Sequence, residues 1–75
     1  MGDVQTLAAV VRDARERKGL SLSAAARQLG ITKSYLWDIE NGRQLNPTLA
    51  VAVRMRRVFG ISAKALLDAA EVSHG

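Results

Sequence analysis

The chain has 75 residues, a formal net charge of +4 and no cysteine. That length holds one hydrophobic core and no second, and the missing thiols exclude both a disulfide framework and a thiolate metal site. His74 is the single histidine, so no imidazole-based metal or catalytic cluster can be assembled, and neither a phosphate-cradling glycine loop nor a nucleophile–base–acid set is visible.

The first stretch, MGDVQTLAAVVRDARERKG, sets Asp3 ahead of its apolar residues and charges soon after them. It reads as neither a signal peptide nor a membrane span, and a soluble cytoplasmic protein is expected. Within it the spacing predicts a helix from Val4 to Lys18. Leu7, Val11 and Ala14 form the inner stripe, Val4 and Val10 lie beside it, and Arg12, Asp13, Glu16 and Arg17 face water. Gly19 stops this helix. Ser21 caps a second helix that runs to Leu29 and halts at Gly30. A third follows Thr32 and continues to about Asn41, where Gly42 ends it. Asn46 then Pro47 is a cap-plus-proline start signal for a fourth helix, Pro47 to Phe59, closed by Gly60. Ser62 caps a fifth through about Ala70, with the last residues frayed.

The expected fold is all-α: a single five-helix domain over residues 1–75, ordered from about 4 to 70. Its expected core is Leu7, Val11, Ala14, Leu20, Ala25, Ala26, Leu29, Leu36, Ile39, Leu49, Ala52, Val53, Phe59, Ile61 and Leu66. At the centre lies Leu22 to Arg43, LSAAARQLGITKSYLWDIENGR. Ala25, Ala26 and Leu29 share one helical face, Leu36 and Ile39 another, and Gly30-Ile31-Thr32 turns the chain between them. Two helices joined by so short a turn form a helix-turn-helix unit, whose second helix commonly enters the DNA major groove.

These residues resemble the lambda-repressor-like domain of the phage repressor, Cro and XRE class, with restriction-modification controller proteins as a similar dimeric branch. The resemblance covers about Leu7 to Leu67. It is most specific at Ala26, Gly30, Ile31, Leu36, Ile39, Glu40, Asn41 and Gly42. It implies that Arg15 and Glu40 form a partly buried ion pair tying the motif to the first helix. It also implies base-edge contacts from Lys33, Ser34 and Asp38, and phosphate contacts near Ser21, Tyr35, Asn41 and Arg43. Chemistry is consistent with those roles: Lys33 can donate to guanine acceptors and Asp38 can accept from a cytosine amino group. The helix starts after Ser21 and Thr32 offer backbone donors to phosphate oxygens.

Three features depart from the family pattern. Leu22 stands where the family usually has a phosphate-gripping glutamine, leaving backbone N–H groups and Ser23 to replace it. Trp37 occupies a position that is usually small or polar; it can reach a phosphate or sugar, anchor a protein partner, or pack locally. The basic excess sits at Arg12, Arg15, Arg17 and Lys18 and at Arg54, Arg56 and Arg57, while Lys33 and Arg43 are balanced by Asp38 and Glu40. A net basic chain permits DNA binding without demanding it.

Val51, Met55, Val58, Ala65 and Leu67 exceed what a domain this small can bury and form the expected homodimer interface. The reading is a non-enzymatic, sequence-specific transcriptional regulator needing no metal or cofactor, binding double-stranded DNA as a dimer at a palindromic operator. The alternative is an antiactivator or adapter that keeps the fold and holds another regulatory protein.

Overall fold

Five hydroxyl side chains start five helices. Thr6, Ser21, Thr32, Thr48 and Ser62 each accept a hydrogen bond from the backbone N–H three residues on, at 3.0 to 3.3 Å. Each bond satisfies one of the orphan donors of a first turn. The helices that follow are α1 (Leu7–Arg17), α2 (Leu22–Leu29), α3 (Lys33–Glu40), α4 (Leu49–Phe59) and α5 (Ala63–His74). The structure, a computed structural model, describes residues 6–44 and 47–74, with side chains as far as residue 69. The expected helical residue Val4 and the expected cap Asn46 lie outside the described residues. No helix among those described is long and apolar enough to cross a membrane.

Two boundaries differ from expectation. α4 begins at Leu49, because Thr48 supplies a capping hydroxyl to the Val51 N–H at 3.3 Å; Pro47 precedes the cap. α5 continues past Ala70 to His74, since no glycine or proline interrupts AKALLDAAEVSH.

α1 packs on α3, α4 and α5, and α2 packs on α3 and α4. Val11, Leu29, Leu36, Ile39 and Met55 are fully buried where these elements meet. Burying side chains of this size contributes about 1.5–3 kcal/mol each. Leu7, Ala14, Ala25, Ala26, Phe59 and Ile61 are buried as expected.

The expectation for α4 is reversed. Val51, Met55 and Phe59 form its buried line, with Val51 and Met55 at 5% and 0% exposure. Val51 and Met55 therefore belong to the core and cannot serve a subunit interface. Leu49 and Val53, expected inside, are 80% and 42% exposed. Leu20, Ala52 and Leu66 are half-buried, whereas Ala69 of α5 is fully in the core. Two apolar stripes run along α4 at helical spacing, and the flexible, unbranched Met55 suits the irregular centre better than the stripe through Leu49 and Val53.

Candidate nucleic-acid interface

The helix-turn-helix corner is built from both sides of Gly30. Its φ of +69° closes α2 in the left-handed region, which a glycine enters without a Cβ penalty. The Gly30 N–H donates to Arg27 O at 3.1 Å and the Ile31 N–H to Ala26 O at 3.0 Å. Thr32 then caps α3. Ala25, Ala26 and Leu29 on one helix and Leu36 and Ile39 on the other are buried, so the opposite side of α3 faces out. Lys33, Ser34 and Trp37 are exposed there and Asp38 is half-exposed. The expected base-reading residues Lys33, Ser34 and Asp38 thus share one outward face.

Arg54 of α4 braces the same corner. Its Nη1 donates to Leu29 O at 3.1 Å, and a Cβ at position 30 would lie 3.2 Å from that nitrogen. The spacing of Arg54 carries no sign of this role, because the contact spans elements separated by the whole of α3.

Glu40 ends α3 with its side chain turned inward, at 4% exposure. Arg15 of α1 grips it through two bonds, Nε to Oε2 at 2.7 Å and Nη2 to Oε1 at 3.0 Å. The Arg15 Nη1 also donates to Leu20 O at 2.8 Å, tying in the α1–α2 connection. Hydrogen bonding to Glu40 raises the Arg15 pKa above its ordinary value, opposed by the desolvation of partial burial and reinforced by the charges of Glu40 and Glu16. The ion pair implied by the resemblance is present in the structure.

A second arginine also reaches Glu40. Arg12, expected simply to face water, donates from Nη2 to Glu40 O at 2.7 Å and brings its Nε to 3.9 Å from Oε1. Arg12 lies three residues before Arg15, on the same face of α1, and that spacing is the signal by which it could have been recognised. One carboxylate between two guanidiniums leaves one positive charge over at the end of α3. Glu40 therefore does not offset Lys33 and Arg43 on the outer surface, contrary to the count made from the sequence.

Beyond Glu40, Asn41 caps α3 and Gly42, at φ +73°, turns the chain back. The N–H groups of Arg43 and Gln44 both donate to Asp38 O, at 2.8 and 3.1 Å. This return sets the Arg43 guanidinium carbon 5.3 Å from the Trp37 ring centroid, within the range of a cation–π contact. Asn41 Nδ2 donates to Trp37 O at 2.8 Å, which commits one of its two amide protons. Of the other expected phosphate contacts, Ser21 uses its oxygen as acceptor in the α2 cap and keeps its hydroxyl proton for donation. Ser23 is exposed on the first turn of α2, and Tyr35 packs half-buried against the core. Leu22 is also half-buried against the core, which gives it a packing role in place of a phosphate grip.

On a different side, α4 and α5 leave an apolar groove of about 300 Å³ lined by Leu49, Ala52, Val53, Arg56, Leu66 and Leu67, among others. Leu67 is 66% exposed. Val58 and Ala65, the remaining expected interface residues, are half-buried against this chain's own core.

Known proteins share this arrangement in sequence. The family described as helix-turn-helix domain matches residues 6–72. The HTH-type transcriptional regulator SinR of Bacillus subtilis (strain 168) is 38% identical over 58 residues, covering 77% of this chain and 52% of that protein. The ImmF control region 10 kDa protein of Bacillus phage phi105 is 44% identical over 48 residues, 64% of this chain and 53% of its own length. The HTH-type transcriptional regulator SlrR of Bacillus subtilis (strain 168) is 33% identical over 60 residues, 80% of this chain and 40% of that protein. The chain thus spans about half the length, or less, of these curated relatives. With the family match running from the α1 cap into α5, and the corner, its buried anchors and its exposed second helix all in place, the chain belongs to the helix-turn-helix domain family.

Proposed function

We propose that the protein is a sequence-specific DNA-binding transcriptional regulator that works by occupying an operator. The observation that carries this reading is the outward face of α3, where Lys33, Ser34 and Asp38 stand together on a helix whose inner face is locked into the core. Such a helix can enter the major groove, with Lys33 donating to guanine and Asp38 accepting from cytosine. Ser21, Ser23, Tyr35, Asn41 and Arg43 flank it as phosphate contacts. Two regulators, SinR and SlrR, are among the similar proteins. Binding rather than catalysis is the proposed work, in the cytoplasm, at a promoter where occupancy blocks or recruits polymerase.

A homodimer on a palindromic site accompanies this proposal. The groove between α4 and α5 exposes Leu49, Val53 and Leu67, and a second copy would cover them. A two-fold pair would set two α3 helices about 34 Å apart, one helical turn of DNA.

The exposure of Trp37, 43%, favours a second reading: a surface that holds another regulatory protein, since tryptophan is frequent at interaction hot spots. Binding to a duplex selected by the protein from a random pool, against a scrambled duplex across a salt series, separates the two. A DNA reader prefers its selected site, and its log–log salt slope shrinks by about 0.9 when the phosphate contact Arg43 loses its charge. Selection of no duplex, together with a stable complex with a co-expressed protein, would replace the first reading with the second.

A further inference from the structure

Trp37 and Arg43 form a cation–π pair at the end of α3. The guanidinium carbon lies 5.3 Å from the indole centroid. Three backbone features hold it there: the left-handed Gly42 at φ +73°, and the Arg43 and Gln44 N–H groups on Asp38 O. Asn41 fixes the other partner by bonding Trp37 O. Among the described residues no carboxylate forms an ion pair with Arg43, so the cation is ordered by an aromatic face and not by an anion.

A guanidinium held over an aromatic face is attracted by the ring without using its N–H donors on an anion. Those donors form a planar fork that matches the two oxygens of a phosphate. A free arginine side chain loses much rotamer freedom on binding; one already ordered on an indole loses less. We propose that Trp37 is a positioning residue that holds Arg43 as a preformed clamp for one DNA phosphate beside the end of α3. The proposal rests on the DNA-reading function and sharpens it, assigning Trp37 an action through Arg43 and not through its own contact with DNA.

A double-mutant cycle tests this, using the full chain and a labelled duplex selected by the wild type from a random pool. Trp37→Ala weakens binding about two- to fivefold in the wild-type background, and has no further effect in Arg43→Ala. Arg43→Ala lowers the salt slope by about 0.9. Trp37→Phe retains most of the affinity because it keeps a π face, whereas Trp37→Leu behaves as Trp37→Ala. Circular dichroism verifies that each variant remains helical, and the Phe–Leu comparison distinguishes ring electrostatics from bulk. Equal losses from Trp37→Ala in both backgrounds, or Leu serving as well as Phe, would overturn the clamp while leaving DNA recognition standing. A wild type that selects no duplex overturns the DNA-reading function and the clamp with it.

Discussion

Arg15 and Glu40, twenty-five positions apart, meet through a two-bond fork at 2.7 and 3.0 Å with the carboxylate only 4% exposed. The fork joins the last turn of α1 to the last residue of α3. Arg12 adds a third bond to the same residue through its carbonyl. No buried side-chain nitrogen or oxygen among the described residues lacks a partner, so removing one member of this group would strand another.

Glu40→Ala leaves the Arg15 guanidinium without its carboxylate at a site that is 16% exposed. Breaking a buried pair from one side costs about 3–5 kcal/mol, which in a domain of this size lowers Tm by more than about 10 °C. Asp13→Ala provides the comparison. Asp13 pairs with Arg17 at 2.7 Å, but both side chains are more than half exposed, and such surface pairs contribute about 0.3–0.5 kcal/mol. Thermal melts followed at 222 nm should separate the two variants clearly; equal small shifts would remove the fork from its structural role.

Gly30→Ala and Gly42→Ala test the two turns that shape the interface. Both glycines have positive φ, so each substitution carries a left-handed penalty of about 1–2 kcal/mol. At Gly42 the added Cβ meets nothing within 4 Å, whereas at Gly30 it presses on the Arg54 guanidinium that bonds Leu29 O. Gly30→Ala is therefore the more destabilising in chemical denaturation. The gap narrows when Arg54→Ala is present in both, because the neighbour that must yield is gone.

The two apolar stripes of α4 have opposite expected phenotypes. Met55→Ala empties a fully buried site and costs about 2–5 kcal/mol. Leu49→Ala removes a side chain that is 80% exposed and stays within about 0.5 kcal/mol. Sedimentation assigns the other property: Leu67→Glu keeps the fold and shifts a dimer toward monomer, while Met55→Glu destabilises the monomer itself. A wild type that sediments as a monomer at micromolar concentration would dismiss the groove as a subunit interface.

Asp38→Ala and Lys33→Gln address base reading. Loss of one base-specific hydrogen-bond set reduces discrimination at its own position by about 1–3 kcal/mol. Selection from a randomised duplex pool should show relaxed preference at one base pair per half-site for each variant. A uniform loss of affinity across all sequences would move either residue from base reading to phosphate contact.

How much of this was legible in the sequence differs between its two levels. The punctuation was legible, because Ser21, Gly30, Thr32 and Gly60 act through local backbone geometry that depends only on neighbours. The inner face of the corner was legible for the same reason, with Ala26, Leu29, Leu36 and Ile39 on one side at helical spacing. The orientation of α4 was not. Leu49 and Val53 form as regular a stripe as Val51 and Met55, and only packing against α1 and α2 decides between them. Thr48 is masked in the sequence by Asn46-Pro47, an equally good start signal two residues earlier. The Arg15–Glu40 pair is legible through family resemblance and Arg12 through its helical spacing from Arg15, whereas Arg54, which contacts a backbone carbonyl, leaves no complementary charge to notice. The Trp37–Arg43 contact was hidden because a left-handed Gly42 is needed to fold the chain back across the ring.

On the proposed DNA-reading function, the inward anchoring of Glu40 also bears on how the molecule meets a target. A recognition helix fastened at its last residue to α1, and at its turn to α4, has little freedom to roll or slide in the groove. Its side chains present one fixed template, so a mismatched operator cannot be accommodated by readjusting the helix. Discrimination then resides in the DNA that must conform, and sequences with easily deformed flanks gain an advantage even at base pairs that no side chain touches.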